Sequence, residues 1–258
     1  DSLPLVVSSI MGKKLAADDD CIVLDVKTGS GAFAKSLEDS RTLAKVMVDI
    51  GKQAGKKMLA LITDMDRPLG NAIGNTLEVK EAIDTLNGHG PEDFTEICVI
   101  LATNMLYLAG KGSMEECENM VKAAIADKRA LDTFKKMVVA QGGDVSFIDN
   151  PDKFATAPHK RSVKAQKSGY IHHVDTEGYG ISSLLLGAGR NTKEENIDFA
   201  AGIVLKKTGD YVKEGEELCV MYTSDEKRFE GAVNKFYEST VILSDEPKKR
   251  PLVLDRVE

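Results

Sequence analysis

Two short apolar runs limit the folds open to this chain more than any other feature. They are "CIVLD" at residues 21–25 and "MLALIT" at residues 58–63. Between them lies a glycine-rich turn, followed by apolar residues at helical spacing: Leu43, Val46, Met47, Ile50 and Ala54. An uninterrupted apolar run is typical of a strand that is buried on both faces. Strand, glycine turn, helix and strand together predict a parallel βαβ unit.

Helical periodicity and capping signals predict further helices on both sides of this unit. The first covers residues 3–16 and is broken at 17–20. Three more helices have clear start or stop signals. The first is opened by Asn75 with Glu78, carries Val79, Ile83 and Leu86, and stops at Gly88. The second is opened by Ser113 with Glu116, and the third carries Leu131, Phe134 and Val138 and stops at Gly142. A segment with Phe94, Ile97, Cys98, Leu101, Met105 and Leu108 is apolar nearly all round, so we expect a buried helix there.

The period changes to short strands and turns after a connector at residues 143–160. The predicted elements are strands in "AGIVLKK" (201–207) and "YVKEGEELCVMY" (211–222) around a turn at 208–210, a helix with Phe229, Val233 and Phe236, and a strand "TVIL" (240–243). This pattern indicates a smaller α+β domain. We therefore expect a central α/β domain at 19–150 and a C-terminal α+β domain at 151–258, with residues 1–18 as a separate helix.

Charge and cysteine content exclude several classes of protein. The net charge is −7, which argues against a nucleic-acid surface. No apolar run approaches the ~20 residues that span a bilayer, so no membrane partner is expected. Cys21, Cys98, Cys117 and Cys219 are widely spaced without a C-x-x-C motif. We expect them to be reduced and buried, as in a cytosolic protein, and we expect no structural zinc.

The glycine turn fits the dinucleotide-binding fingerprint G-x-G-x-x-A at Gly29, Gly31 and Ala34. An acidic residue at the end of the second strand, here Asp64, would bind the ribose hydroxyls. An NAD(P)-dependent oxidoreductase is therefore one reading of the loop. The other is a turn kept small so that it can approach a substrate, because the fingerprint helix should begin within the glycines and Phe33 intervenes here.

Ser9 and Lys13 are four residues apart, so a helix places them on one face. A hydroxyl can donate or accept a hydrogen bond, and an ammonium can stabilise negative charge on a carbonyl oxygen. Together they suit a ring that carries carbonyl oxygens and an N–H. On residue types alone, a solvated helix face explains the same pair.

The chain resembles the pyrimidine-nucleoside phosphorylase family, which includes thymidine phosphorylase. The segments that carry the resemblance are "SLPLVVSSIMGKKLAA" (2–17), "IVLDVKTGSGAF" (22–33), "ITDMDRPLGNAIGNTLEVKEAI" (62–83), "LLLGAGR" (184–190) and "GIVLKKTGDYVKEGEEL" (202–218). The resemblance covers the last three-fifths or so of a family member. It implies phosphorolysis of a pyrimidine nucleoside (thymidine, uridine or deoxyuridine) to the free base and (deoxy)ribose 1-phosphate, with phosphate as co-substrate, in a cytoplasmic homodimer.

The resemblance also implies an architecture. The fold class is α/β: a βαβ-containing mixed sheet flanked by helices, with a smaller C-terminal α+β domain and, at residues 1–18, one helix of an all-α domain. Family members bind phosphate through segments that would lie upstream of Asp1. The resemblance therefore leads us to expect upstream sequence, and to expect that residues 1–258 alone turn over no substrate. A non-catalytic remnant module stays open as an alternative.

Site residues carry over from the family at matching positions. Ser9 and Lys13 would bind the base, with Lys13 stabilising the leaving anion. No organic cofactor is expected. Leu69 and Ala72, through their carbonyls, and Glu81, through its carboxylate, would hold a K⁺ or Ca²⁺ ion. At 100° per residue Glu81 lies about 200° from Val79, opposite the expected apolar stripe, and a carboxylate that simply faces water is the other reading.

The remaining polar motifs receive no catalytic role. His89, His159, His172 and His173 are expected to be structural or solvated, and the last two should point to opposite faces of a strand. The hairpin "GDYVKEGEEL" is similar to those of biotinyl and lipoyl carrier domains but is followed by no matching lysine. The basic run at 248–250 is expected to be a solvated tail.

Overall fold

The structure is a computed structural model that describes residues 2–206 and 209–258. Its contacts group the chain into two compact units. The first unit comprises residues 1–65, 95–124 and 250–258, and the second comprises residues 66–94 and 125–249. The domain limits expected at residues 18 and 150 stay predictions.

The helices and strands predicted from the sequence occur in the expected order along the chain. The helices are α1 (Leu3–Ala16), α2 (Leu37–Gln53), α3 (Asn75–Leu86), α4 (Glu92–Leu108), α5 (Met114–Ala126), α6 (Arg129–Ala140), α7 (Ser146–Asp149), α8 (Thr176–Ser183) and α9 (Phe229–Glu238). The strands are β1 (Cys21–Thr28), β2 (Lys57–Asp64), β3 (Ala72–Ile73), β4 (His159–Lys164), β5 (Gly169–Val174), β6 (Gly202–Leu205), β7 (Tyr211–Val212), β8 (Glu217–Thr223), β9 (Thr240–Leu243) and β10 (Val253–Val257). Of these, α7, α8, β3, β4 and β10 are additional to the prediction. The α/β fold class is confirmed.

The sheet of the first unit has the order β1-β2-β10. β1 and β2 are parallel, in register from Cys21 opposite Lys57 to Thr28 opposite Asp64, and α2 connects them. This is the predicted βαβ unit. β10 pairs with the other side of β2 in the antiparallel direction, which makes the sheet mixed.

The two parallel strands differ in burial, which corrects one expectation. Seven consecutive residues of β2, from Met58 to Asp64, are buried, as predicted for a strand covered on both faces. In β1 burial alternates: Ile22, Leu24 and Val26 are buried, whereas Asp25 is exposed. The expectation of burial on both faces is wrong for β1 because β1 is an edge strand and β2 is central.

The apolar core of the first unit lies on one face of this sheet. It joins the buried side of β1 to α2 and α1 through the side chains of Val7, Met11, Ile22, Leu24, Val26, Leu43, Ala44, Met47, Val48, Met58, Ala60 and Ile62. Val7 and Met11 are one helical turn apart, so a single stripe of α1 faces the core. The opposite stripe of α1 is left outside.

Helix α4 is less buried than its sequence suggests. Only Ile97, Val99, Thr103 and Asn104 are buried in it, while Met105 and Tyr107 are exposed. The expectation of a buried helix is therefore wrong. An apolar circumference does not ensure burial when neighbouring elements cover only part of it. Among the described residues, no helix is both long and apolar enough to cross a membrane.

The second unit contains two antiparallel sheets, β3-β6-β8-β4 and β7-β5-β9. A core that includes Ile171, Leu186, Ile203, Met221 and Phe236 lies among them and the helices α8 and α9. The rings of Tyr179 and Phe236 stack at 4.5 Å between centroids, and burial raises the pKa of the tyrosine. The predicted helix at Phe229 and strand at 240–243 are present as α9 and β9.

The connector predicted in the second unit contains ordered structure. The connector at 143–160 is partly ordered, since it contains α7, and β4 already begins at His159. The strand predicted at 201–207 is present as β6. Lys207 of that strand and Thr208 of the turn predicted at 208–210 lie outside the described residues.

Candidate functional site

The outer stripe of α1 carries the two residues expected to bind a base. Pro4 in the first turn suits a helix start, because its missing N–H would be unsatisfied there anyway. Ser9 and Lys13 each lie two residues from a buried member of the inner stripe, which is about 200° around the helix. Both are exposed and share one face. Among the described residues neither side chain has a hydrogen-bond or ion-pair partner, so both can reach an external ring.

The glycine loop does not have the geometry of a dinucleotide site. Helix α2 begins at Leu37, after the cap Ser36, whose hydroxyl accepts a hydrogen bond from the N–H of Asp39 at 3.1 Å. The helix therefore starts well beyond Gly31, whereas a pyrophosphate needs the helix N-terminus at the glycines.

The loop is closed by its own backbone. The N–H of Gly29 donates to the carbonyl of Ala34 at 3.3 Å, and that of Ala32 donates to Gly29 at 3.0 Å. The N–H of Gly31 donates to the carbonyl of Met65 at 3.2 Å. These amides are therefore engaged within the protein, and they do not form an open cradle for phosphate.

Asp64, the acidic residue of the fingerprint, has a different role in the structure. Its side chain is 1% exposed, and its Oδ1 lies 3.5 Å from Nη1 of Arg250. It is therefore not presented to a ribose, and the oxidoreductase reading loses its acidic residue. Lys248, Lys249 and Arg250 are exposed, as expected of a solvated run, but Arg250 also pairs with Asp64, and β10 begins three residues later at Val253.

The carboxylate of Glu81 is held by the loop that precedes β3. Its Oε1 accepts the backbone N–H of Asn71 at 2.8 Å and that of Ala72 at 3.1 Å. Gly70 has φ +73°, and a Cβ there would lie 2.1 Å from Oε2 of Glu81. A side chain at position 70 would thus be strained at this φ and would force the carboxylate to shift, and the reading in which Glu81 faces water is wrong.

The apolar stripe predicted for α3 holds at Ile83 and Leu86, which pack in a core cluster, but not at Val79. Val79, expected on the buried face, is 39% exposed, whereas Thr76 and Ile83 are buried. Asn75 is the first helical residue and the cap is Gly74, whose N–H donates to Oε1 of Glu78 at 3.0 Å. Apolar periodicity therefore located the buried end of this helix, and it missed the exposure of Val79 in the first turns.

The histidines and cysteines form no catalytic constellation in the structure. Nδ1 of His159 lies 3.0 Å from Oε1 of Glu226, His172 and His173 lie in β5, and His89 is exposed after α3. All four cysteines are free, but only Cys117 and Cys219 are buried, so the expectation of burial is wrong for Cys21 and Cys98. Burial raises the pKa of the Cys98 thiol.

Two family models match the chain. The glycosyl transferase family a/b domain matches residues 2–131, and the pyrimidine nucleoside phosphorylase C-terminal domain matches residues 170–243. The first match contains Ser9, Lys13 and Glu81, and the second covers much of the second unit. The chain belongs to the pyrimidine-nucleoside phosphorylase family.

Curated relatives agree with the assignment to the pyrimidine-nucleoside phosphorylase family. The chain is 49% identical over 259 residues to a pyrimidine-nucleoside phosphorylase of Geobacillus stearothermophilus, covering 100% of this chain and 60% of the relative. It is 49% identical over 244 residues to that of Staphylococcus haemolyticus, covering 94% and 56%. The chain thus spans about three-fifths of the length of the curated relatives it matches.

Proposed function

We propose that this chain carries the base-binding part of an enzyme that cleaves pyrimidine nucleosides with phosphate. The products are the free base and (deoxy)ribose 1-phosphate, and thymidine, uridine and deoxyuridine are the proposed substrates. The observation that carries the proposal is the outer stripe of α1, where Ser9 and Lys13 share an exposed face without partners among the described residues. The family to which the chain belongs supplies the reaction.

The chemistry suits these side chains. When the glycosidic bond breaks, positive charge develops on the sugar and the base leaves with the electron pair. The ammonium of Lys13 stabilises the negative charge on a ring carbonyl, an electrostatic effect of a few kcal/mol in a water-excluded site. The Ser9 hydroxyl orients the ring by one hydrogen bond, which positions the bond to be broken.

A comparison of adjacent lysines tests this function. The complete gene product is assayed for phosphate-dependent release of thymine and uracil. Lys13→Met should lower kcat/KM by roughly 10²–10³ because the leaving anion loses its cation. Lys14→Met is the matched control, since Lys14 is exposed on the same helix but about 100° away, and it should retain activity within about twofold.

Equal losses in the two variants, or no phosphorolysis by the unaltered gene product, would contradict the proposal. In the second case the remnant-module alternative takes its place.

We also propose the K⁺ or Ca²⁺ ion at Leu69, Ala72 and Glu81. The Glu81 carboxylate is oriented by two backbone N–H groups, and a hard cation prefers oxygen donors of this kind. Backbone carbonyls are needed, because no group of three His, Cys, Asp or Glu side chains that could hold a metal occurs in residues 2–206 and 209–258. The ion should raise the melting temperature of the chain in KCl or CaCl₂ relative to tetramethylammonium chloride.

The cellular setting belongs to the same proposal. Four free cysteines fit a reducing compartment, so we place the enzyme in the cytoplasm. A homodimer is proposed from the family resemblance. Sedimentation of the complete gene product at micromolar concentration should give twice the mass of one chain.

A further inference from the structure

Asp64 has no place in the proposed reaction, and its contacts connect two distant parts of the first unit. Its side chain is almost fully buried, and its Oδ1 lies 3.5 Å from Nη1 of Arg250. Its backbone N–H donates to the carbonyl of Leu252 at 2.9 Å. The segment 250–252 therefore holds Asp64 through both its side chain and its backbone.

The segment is itself anchored by β10. Nη1 of Arg256 donates to Oδ1 of Asn104 at 2.8 Å, and Nε of Arg41 donates to Oδ2 of Asp255. Together with the antiparallel pairing of β10 and β2, these contacts fix the position from which Arg250 reaches Asp64.

The residue that follows Asp64 spans the glycine loop. The N–H of Met65 donates to the carbonyl of Thr28 at 2.7 Å, and the carbonyl of Met65 accepts the N–H of Gly31 at 3.2 Å. Met65 thus contacts both the start and the interior of the loop. A displacement of Asp64 along the chain would be passed to the loop through these two hydrogen bonds.

We infer that Arg250, acting through Asp64 and Met65, is a positioning residue for the glycine loop at 28–36. The functional meaning of this role rests on the proposed function, taken together with the reading in which the glycine turn approaches the substrate. A buried carboxylate is costly when its cation is removed, because its desolvation is no longer compensated. We expect the loss of the Arg250 cation to weaken the hold on Asp64, and through the two Met65 hydrogen bonds to loosen the loop.

The rescue expected from lysine follows from the geometry. The ion pair between Nη1 of Arg250 and Oδ1 of Asp64 spans 3.5 Å, which a lysine ammonium can also do, so we expect it to depend on charge more than on the planar fork of a guanidinium. Arg250→Lys should therefore restore the position of the loop, whereas Arg250→Gln should not.

Hydrogen–deuterium exchange of the 258-residue chain tests this inference without any need for turnover. In Arg250→Gln, the peptide at 28–36 should exchange about fivefold faster than in the wild type, relative to the core of α2 at 43–51, because local opening controls exchange. Arg250→Lys and the neighbouring control Lys249→Gln should stay within about twofold. Unchanged exchange at 28–36, or equal acceleration at 43–51, overturns the inference.

A kinetic readout in the complete gene product adds the functional consequence. Arg250→Gln should raise KM for the nucleoside about fivefold while KM for phosphate stays within about twofold, and Arg250→Lys should reverse the change. Equal rises in both constants would overturn the inference. If the unaltered gene product shows no phosphorolysis, the proposed function fails, and the exchange experiment alone decides the positioning role.

Discussion

Two helices of this protein present polar side chains in opposite ways. On α1, Ser9 and Lys13 are exposed and have no partner among the described residues. On α3, the Glu81 carboxylate is held by two backbone N–H groups over a glycine. The difference separates two kinds of proposed site residue: one is free to meet a ligand from outside, and the other is already oriented by the protein's own backbone.

The glycine beneath Glu81 should give the largest effect on stability. Gly70→Ala puts a methyl group 2.1 Å from Oε2 at a φ of +73°, so the free energy of unfolding should fall by roughly 2–4 kcal/mol. Gly55→Ala is the matched control, because Gly55 has φ +78° with nothing within 4 Å of the added carbon. That variant should lose only about 1 kcal/mol. Equal losses on urea denaturation would mean that Glu81 does not determine the need for glycine.

Neutralising the oriented carboxylate should have the next largest effect. Glu81→Gln keeps the shape of the side chain but weakens two charge-assisted hydrogen bonds, which should cost about 1–2 kcal/mol. The same variant should lose the melting-temperature rise in KCl or CaCl₂. Glu78→Gln is the control, since Glu78 accepts one N–H at an exposed position of the same helix. An ion-dependent rise that persists in Glu81→Gln would remove Glu81 from the proposed ion site.

Removal of an exposed α1 side chain for which the described part of the chain offers no partner should change nucleoside binding but not the stability of the protein. Ser9→Ala should raise KM for the nucleoside about tenfold, because the variant loses the binding free energy of about one neutral hydrogen bond. The melting temperature should not move, because Ser9 has no partner to lose among the described residues. Ser8→Ala on the same helix is the control and should leave KM unchanged. Destabilisation by Ser9→Ala would show that the hydroxyl is structural.

The helix-capping carboxylate of Glu116 should contribute least to stability, and its contribution should depend on pH. Oε2 of Glu116 accepts the N–H of Ser113 at 2.8 Å, and this hydrogen bond lowers the pKa of Glu116 from its usual 4.5. The contribution is therefore present above the unfolded pKa and is lost as pH falls through the folded one. The small difference in melting temperature between wild type and Glu116→Gln should disappear below that pH. Glu115→Gln is the control, and a difference that grows in acid would contradict the assignment.

Local signals predicted much of this fold. The βαβ unit, α9, β9 and the reciprocal cap of Ser113 and Glu116 each depend on spacing within one short segment, which the sequence displays directly. The four-residue spacing of Ser9 and Lys13 likewise predicts that they share one face of α1.

The errors arise where distant segments decide the outcome. Val79 is apolar and was expected inside, but it is 39% exposed, whereas Ile83, four residues later in the same stripe, is buried against residues from α6 and α7. Burial of β1 on one face follows from its edge position, which no local pattern shows. The pairing of Arg250 with Asp64 joins residues far apart in sequence, so neither segment alone could reveal it.

The division of the first unit into three stretches has a consequence for synthesis. Residues 250–258 are made after residues 66–249, so the ribosome supplies every stretch of the second unit before β10 exists. During translation, the second unit can complete its sheets while β2 still has an open edge. We therefore expect the C-terminal half of the chain to acquire protease resistance first, and the parallel strand pair to be the region that chaperones protect.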